Sequence, residues 1–282
     1  MKTRKLISVI LAVISVLSCF SVCSFAAGKY HYVVLGDSIA YGSGLVNAND
    51  ACYGKMVADT CNFSYANHAV PGATTREFIG ELGKKNVRAD IARADIISIS
   101  IGGNDFLNEL SALMIDAIVK KNYEEFDLIE FGVYVNIDNA IDSIRKLNGD
   151  AVILLQTLYN PQFGYLKEPY QRGTDCVNNA VKRCAKENKR VAVVDVAAAL
   201  NGDERNFADD TLHPSARGNE LIAKAVLTKL RELGFTKKTN LDAKVPGVDV
   251  VLGPAASQVL EFYAFFLHAL AKALGAITVI MK

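Results

Sequence analysis

The sequence predicts an α/β protein with a parallel sheet covered by helices on both faces, and three observations carry that expectation. Five short apolar runs, near residues 32–36, 63–68, 95–101, 151–155 and 191–196, alternate with stretches of helical periodicity, which is the pattern of a parallel sheet with crossover helices. The runs are apolar almost throughout instead of alternating with polar residues, as expected for strands buried on both faces. Each of the first three ends in or near a glycine-containing turn, so the ends of these strands present turns along one edge of the sheet.

The first run, Tyr32-Val33-Val34-Leu35, stops abruptly in Gly36-Asp37-Ser38. A tight turn there delivers the Ser38 hydroxyl to the carboxyl edge, where open α/β sheets hold their ligands. Alone, Gly-Asp-Ser is a common turn tripeptide, because Gly tolerates positive φ while Asp and Ser bond nearby amides. Residues 52–61 read as a helix and residues 63–68 as a second strand, leading into Val70-Pro71-Gly72-Ala73-Thr74. Gly72 follows a proline, as the third residue of a type II turn does, which exposes its amide at the sheet edge. Thr74 or Thr75 then caps a helix running towards Leu82, with Glu77 in its first turn.

The third strand, over 95–101, ends in Gly102-Gly103-Asn104-Asp105. The glycines let the backbone turn sharply, and Asn104 offers an amide donor at the strand's end. Between residues 108 and 148 helical spacing recurs in two blocks, separated by an irregular stretch, 123–136, that reads as a loop over the site. Tyr159-Asn160-Pro161 closes the fourth strand, and a helix over about 171–188 leads to the fifth. A polar loop then arrives at Asp210-Thr211-Leu212-His213-Pro214-Ser215. Pro214 disfavours a helical His213, which places the imidazole just outside a helix starting near Ser215. That helix carries a stripe of Ile222, Val226, Leu230 and Leu233 and is stopped by Gly234.

Composition narrows the function classes. Residues 1–26 combine a basic start, an apolar stretch and a small-residue site at Ser24-Phe25-Ala26-Ala27, the pattern of a removed signal peptide. A retained membrane anchor, or a lipoprotein attached through Cys19, is the competing reading. Without Lys2, Arg4 and Lys5 the 31 basic residues become 28, against 30 acidic ones, and no basic cluster with interleaved aromatics is present, so nucleic acid is not an expected partner. Cys52, Cys61, Cys176 and Cys184 remain in the exported part. Separations of nine and eight residues on continuous helices place each local pair roughly 12 to 13 Å apart, beyond disulfide range. Free buried thiols are the plain expectation, with disulfides left open. A metal site is not expected, since no Cys-x-x-Cys or paired His accompanies these residues. His31 and His68 read as structural, although His68 stands close enough to the Gly72 turn to line a pocket.

The chemistry follows from the constellation. A serine hydroxyl is a weak nucleophile until a base takes its proton, and the base needs a partner that fixes its tautomer. His213 supplies the base and Asp210, three residues earlier, the partner. The amides of Ser38 and Gly72 with the side chain of Asn104 supply three oxyanion donors, each worth about 3 to 4 kcal/mol of barrier. The four blocks Gly36-Asp37-Ser38, Gly72, Gly102-Gly103-Asn104-Asp105 and Asp210-x-x-His213-Pro214, in this order, resemble those of the SGNH, or GDSL-type, hydrolase family. The resemblance covers residues 30–235. It implies a flavodoxin-like three-layer α/β/α sandwich with a five-stranded parallel sheet. It also implies Ser38 as nucleophile, His213 as base, Asp210 as its orienting acid, and Ser38, Gly72 and Asn104 as oxyanion hole, with ester hydrolysis that needs no cofactor or metal. Asp37 and Asp105 read as loop-holding residues. An α/β-hydrolase is disfavoured because no Gly-x-Ser-x-Gly elbow surrounds Ser38.

The chain departs from the family in residues 236–282. After a polar segment, residues 255–281 are almost wholly apolar, and the 20 residues from Phe262 to Met281 are interrupted only by His268, Lys272 and Thr278. A helix of that length spans a bilayer, but a lysine near its middle costs about 2.5 to 3.5 kcal/mol. An interfacial helix touching a membrane surface is the leading reading, ahead of a helical lid and of a partner-binding segment. The expected protein is thus an exported, secreted esterase, lipase- or lysophospholipase-like, on small-molecule or lipid esters. A carbohydrate O-acetylesterase and a non-catalytic surface-binding protein on the same fold are the alternatives.

Overall fold

The computed structural model describes residues 30–115, 125–242 and 244–253. The expected signal segment 1–26 and the apolar segment 255–281 lie outside the described residues.

The sheet has five parallel strands in the order β2-β1-β3-β4-β5: β1 (His31–Gly36), β2 (Ser64–Asn67), β3 (Ile96–Ser100), β4 (Val152–Gln156) and β5 (Val191–Val194). Successive side chains of a strand point to opposite faces, and here both sets are apolar. Val33, Leu35, Ile97, Ile99, Ile153 and Leu155 enter one core, while Tyr32, Val34, Ile96, Leu154 and Val194 enter the other. That is why the β1 run carries no polar alternation. Tyr32, Val33 and Val34 have no solvent exposure at all.

Helices cover each face, as expected for the three-layer sandwich. After β1 come the single turns α1 (Ser38–Tyr41) and α2 (Ala48–Ala51), then α3 (Tyr53–Cys61). Between β2 and β3 lie α4 (Thr75–Glu81) and α5 (Lys85–Arg93), and between β3 and β4 lie α6 (Gly103–Ile115) and α7 (Phe126–Arg145). The remainder are α8 (Lys167–Glu187), α9 (Val196–Leu200) and α10 (Ala216–Glu232). Residues of α4 to α8 build the core on the Val33 side; those of α3 and α10 build the Tyr32 side. α4 starts in a capping box in which Thr74 and Glu77 satisfy each other's backbone amides.

Two expectations are corrected. The stretch from Phe126 to Asn136 is not a loop over the site but the first half of α7, with Phe126, Ile129, Val133 and Ile137 buried one above the other; residues 123 and 124 lie outside the described ones. Leu233 leaves the α10 stripe: Ile222, Val226 and Leu230 are fully buried, whereas Leu233 is exposed beyond the helix end, where Gly234 turns the chain at φ +83°.

Because β1 lies between β2 and β3, the chain leaves β1 at the point where the strand order reverses, and a crevice opens there at the carboxyl ends. Gly36 and Ser100, the last residues of β1 and β3, are register partners, and the Asp37 amide donates to the Ser100 carbonyl at 3.0 Å. Gly36 sits at φ +130°, and a Cβ there would lie 1.9 Å from the Ser100 oxygen. Gly36→Ala is therefore expected to lower unfolding free energy by at least about 3 kcal/mol, read from chemical denaturation of the variant against the wild type.

Candidate active site

The β1–α1 turn is set by Asp37. Its buried carboxylate accepts from the Ile39 amide at 3.0 Å, capping α1, and Ser38 becomes the first residue of that helical turn. The hydroxyl of Ser38 lies 2.9 Å from Nε2 of His213. Nδ1 on the far side of the same ring lies 2.6 Å from the Asp210 carboxylate. An ionised carboxylate only accepts, so Nδ1 carries the proton and donates it, leaving Nε2 to accept from the Ser38 hydroxyl.

The spacing of three between Asp210 and His213 is a turn geometry. Asp210 accepts from the amides of Leu212 and His213 at 2.9 Å each, while Thr211 takes φ +56° to close the turn. Ala208 donates to the His213 carbonyl at 2.8 Å, and the buried Tyr159 hydroxyl donates to the Leu212 carbonyl at 2.8 Å. Burial alone disfavours the charge on Asp210, but the bonds from the His213 ring and the two amides outweigh it and hold the carboxyl below its ordinary value. Asp210 thus stays ionised opposite the imidazole.

The two remaining predicted residues meet at the same cavity. Gly72 turns at φ +83° with open space where a Cβ would stand. Asn104, in the first turn of α6, donates through Nδ2 to the Ala73 carbonyl at 2.9 Å, which ties the Gly72 turn to the end of β3. An amide NH₂ has two hydrogens, so one remains for an oxyanion. Asp105 is a loop holder of another kind than a cap for its own helix: its carboxylate accepts from the amide and hydroxyl of Thr75 at 2.8 and 2.6 Å. Asn136 of α7 donates to the same hydroxyl.

Ser38, Gly72, Asn104 and His213 line one open cavity of about 230 Å³. Its other walls are mostly carbon, from Ile39, Pro71, Phe106, Leu107, Leu158, Tyr170 and Leu212. Leu158, Tyr159 and Pro161 also line it, of which the sequence marks Tyr159 and Pro161 only as the close of the fourth strand; their place just beyond that strand, on the same edge as Ser38 and Asn104, is the signal that finds them. His68 does not line this cavity. Its Nε2 bonds Asp90 at 2.6 Å, and His31 approaches the same carboxylate at 3.4 Å. Among the described residues Cys52, Cys61, Cys176 and Cys184 are free thiols, Cys52 and Cys184 of them buried, and no cluster of metal-ligating side chains is present.

A nucleophile, base and acid converging with amide donors at the switch point of a parallel α/β sheet define a serine hydrolase of ester bonds. The GDSL-like lipase/acylhydrolase family matches residues 34–221, and the chain belongs to that family. It is similar to the spore germination lipase LipC of Bacillus licheniformis, with 27% identity over 216 residues covering 72% of this chain and 96% of the relative. Among solved structures it resembles a lipase from a goat rumen metagenome, with a TM-score of 0.59 and 22% identity, covering 74% of this chain and 99% of that one. It also resembles an acetylxylan esterase from Geobacillus stearothermophilus, with a TM-score of 0.56 and 23% identity, covering 74% and 96%.

Asp37 carries a prediction of its own. Burial pushes its carboxyl up to about 7, against the opposing effects of the Ile39 amide and the His213 ring. A folded value above the unfolded one means the native state binds the extra proton between the two, so this group's contribution falls as pH rises from about 4 to 7. Relative to wild type, Asp37→Asn is expected to gain stability over that window, by up to about 4 kcal/mol, and to level off above it. Denaturation midpoints taken across the window check the slope, whatever constant offset the amide introduces.

Proposed function

We propose that the protein is an exported serine esterase that cleaves aliphatic acyl esters, lipase-like, through an acyl-enzyme on Ser38. The observation that carries this is the Ser38 hydroxyl bonded to His213 at the mouth of a cavity walled mainly by carbon.

The substrate's acyl chain lies along the Phe106, Leu158 and Tyr170 walls, its carbonyl between Ser38 and Asn104. Oγ of Ser38 adds to the carbonyl carbon while its proton moves to Nε2 of His213, whose positive charge Asp210 offsets. The carbonyl oxygen, now an anion, takes hydrogen bonds from the amides of Ser38 and Gly72 and from Nδ2 of Asn104. Collapse breaks the bond to the alcohol, which leaves with the proton from Nε2. Water then repeats the sequence on the acyl-enzyme, delivering its proton to His213 and releasing the acid and free Ser38.

The cavity favours an acyl chain over a bare acetyl group because each methylene buried contributes about 0.8 kcal/mol. On nitrophenyl esters, kcat/KM is expected to rise about fourfold per added methylene from acetyl towards octanoyl and then to flatten. A maximum at acetyl would instead support carbohydrate deacetylation. On the best ester, Ser38→Ala is expected to lose at least about 10⁴-fold in kcat and Asn104→Ala about 10²- to 10³-fold, with unchanged circular dichroism. An active Ser38→Ala variant would overturn the mechanism.

Export and contact with a lipid surface belong to the same reading. The charged start and small-residue site of residues 1–26 support export, and the apolar character of residues 255–281 supports interfacial binding. Leu252, among the last described residues, lies beside the site, its amide bonding the Asp209 carboxylate at 3.3 Å, next to Asp210. The full chain is expected to be recovered outside the cytoplasm and to float with phospholipid vesicles, whereas a chain ending at Gly253 stays with the unbound fraction; equal flotation of both removes the lipid-surface assignment.

A further inference from the structure

α10 carries the chain away from the catalytic edge, and the residues after it lead back towards that edge. Phe235 packs edge-on against Tyr30 at 5.0 Å, and Asp242 donates its amide to the Thr60 hydroxyl at 2.9 Å. Residues 244–252 then run as a strap beside the loop that follows the nucleophile. Asn47 grips it twice, donating to the Pro246 carbonyl and accepting from the Val248 amide, each at 2.9 Å. Val46 donates to Val248 and Val250 donates to Gly44, both at 2.8 Å, so Leu45 and Asp249 pair as in an antiparallel ladder.

The other side of the strap holds the acid–base segment. The Asp249 carboxylate accepts from the amide of Ala216 at 2.6 Å. That amide opens α10, has no partner within the helix, and stands three residues after His213. The Leu252 amide donates to Asp209, directly before Asp210. Between the strap and the base lies Gly44, packed so closely that a Cβ would stand 2.6 Å from the Pro214 carbonyl and 3.2 Å from Cβ of His213. Gly247 fits as tightly, its added Cβ falling 2.9 Å from that of Ala216.

We infer that residues 244–252 are a positioning strap that fixes the His213 segment against the Ser38 loop, with Asp249 as its central residue. Two loops distant in sequence supply the nucleophile and the base, and the strap bonds to both. A base displaced by about 1 Å costs on the order of 10²-fold in rate, so a device that removes such freedom acts on turnover more than on binding. The strap lies wholly beyond the family's matched region of 34–221, so this device is an addition to the family's core. Asp249 touches no reacting atom and acts through Ala216.

The inference rests on the catalytic reading of Ser38 and His213, and its test has a readout independent of ester turnover. In the full chain, Asp249→Ala removes the bond to Ala216, Gly247→Val pushes the strap off by volume, and Asp249→Asn keeps an accepting oxygen. Three quantities are measured: kcat and KM on one nitrophenyl ester, the thermal transition, and the low-field proton NMR signal of the His213–Asp210 hydrogen bond. The expected result is a loss of at least about tenfold in kcat with KM nearly constant, a broadened or absent low-field signal, and a transition within a few degrees of wild type. This should hold for both disruptive variants, with rescue by Asp249→Asn. Wild-type kcat and signal in both, or losses that follow only the fraction unfolded, would overturn the strap's role. If the wild type shows the signal but hydrolyses no ester, the esterase reading fails while the signal still decides on the strap.

Discussion

The site depends on the contact between the end of β1 and the end of β3, where Gly36 presses on the Ser100 carbonyl and the next amide bonds to it. Only a residue without Cβ permits that approach at φ +130°. The hydrogen bond fixes where Asp37 begins its turn; Asp37 caps α1, and the cap aims Ser38. Two residues beyond Ser100 the paired glycines turn the other strand into α6 and bring Asn104 to the same crevice. Nucleophile and oxyanion donor are thus placed by two adjacent strands of a rigid sheet, and the chemistry needs no long-range alignment to bring them together.

The base comes from further away and is held differently. The Asp210–His213 turn stands at the edge of the sheet, and its register relies on polar bonds: amides into Asp210, Tyr159 onto Leu212, and Asn219 of α10, which donates to the carbonyls of Pro214 and Ser215 at 3.1 Å and accepts from the Tyr53 amide at 3.2 Å. Asn219 is fully buried, where an unpaired amide group would cost about 1 to 3 kcal/mol. Its full set of partners ties the catalytic turn to α3 at little cost. The molecule therefore uses hydrophobic layers for the position of Ser38 and a buried polar network for that of His213.

Much of this was legible in the sequence because the signals are local. The β1 and β3 runs are too apolar to be anything but doubly covered, and the Asp-x-x-His-Pro spacing places acid, base and helix start within six residues. What is not legible is non-local or masked by composition. The first half of α7 has buried residues at helical spacing, but Gly132 and exposed Leu128 and Phe131 blur the stripe. The cavity walls after β4 come from side chains with no chemical signature. The strap is held by two backbone pairs and by the side chains of Asn47, Asp209 and Asp249, residues far apart in sequence, so its path shows only when they are seen side by side.

The cavity is built from two kinds of segment. Its chemical corner belongs to the turns after β1 and β3 and to the Asp210–His213 turn, each locked by its own bonds. One part of its carbon wall comes from Leu158 after β4 and from Tyr170 and Thr174 on α8, anchored apart from those turns by the pair of bonds between Asn178 and the backbone of Leu158. On the β4–α8 side, shape and reactivity are thus held by different bonds. A side chain such as Leu158 or Tyr170 can be enlarged or trimmed to admit a different acid without moving the serine, whereas Ile39 and Leu212 line the cavity from the catalytic turns themselves, so selectivity is adjustable at one wall where the reaction itself is not.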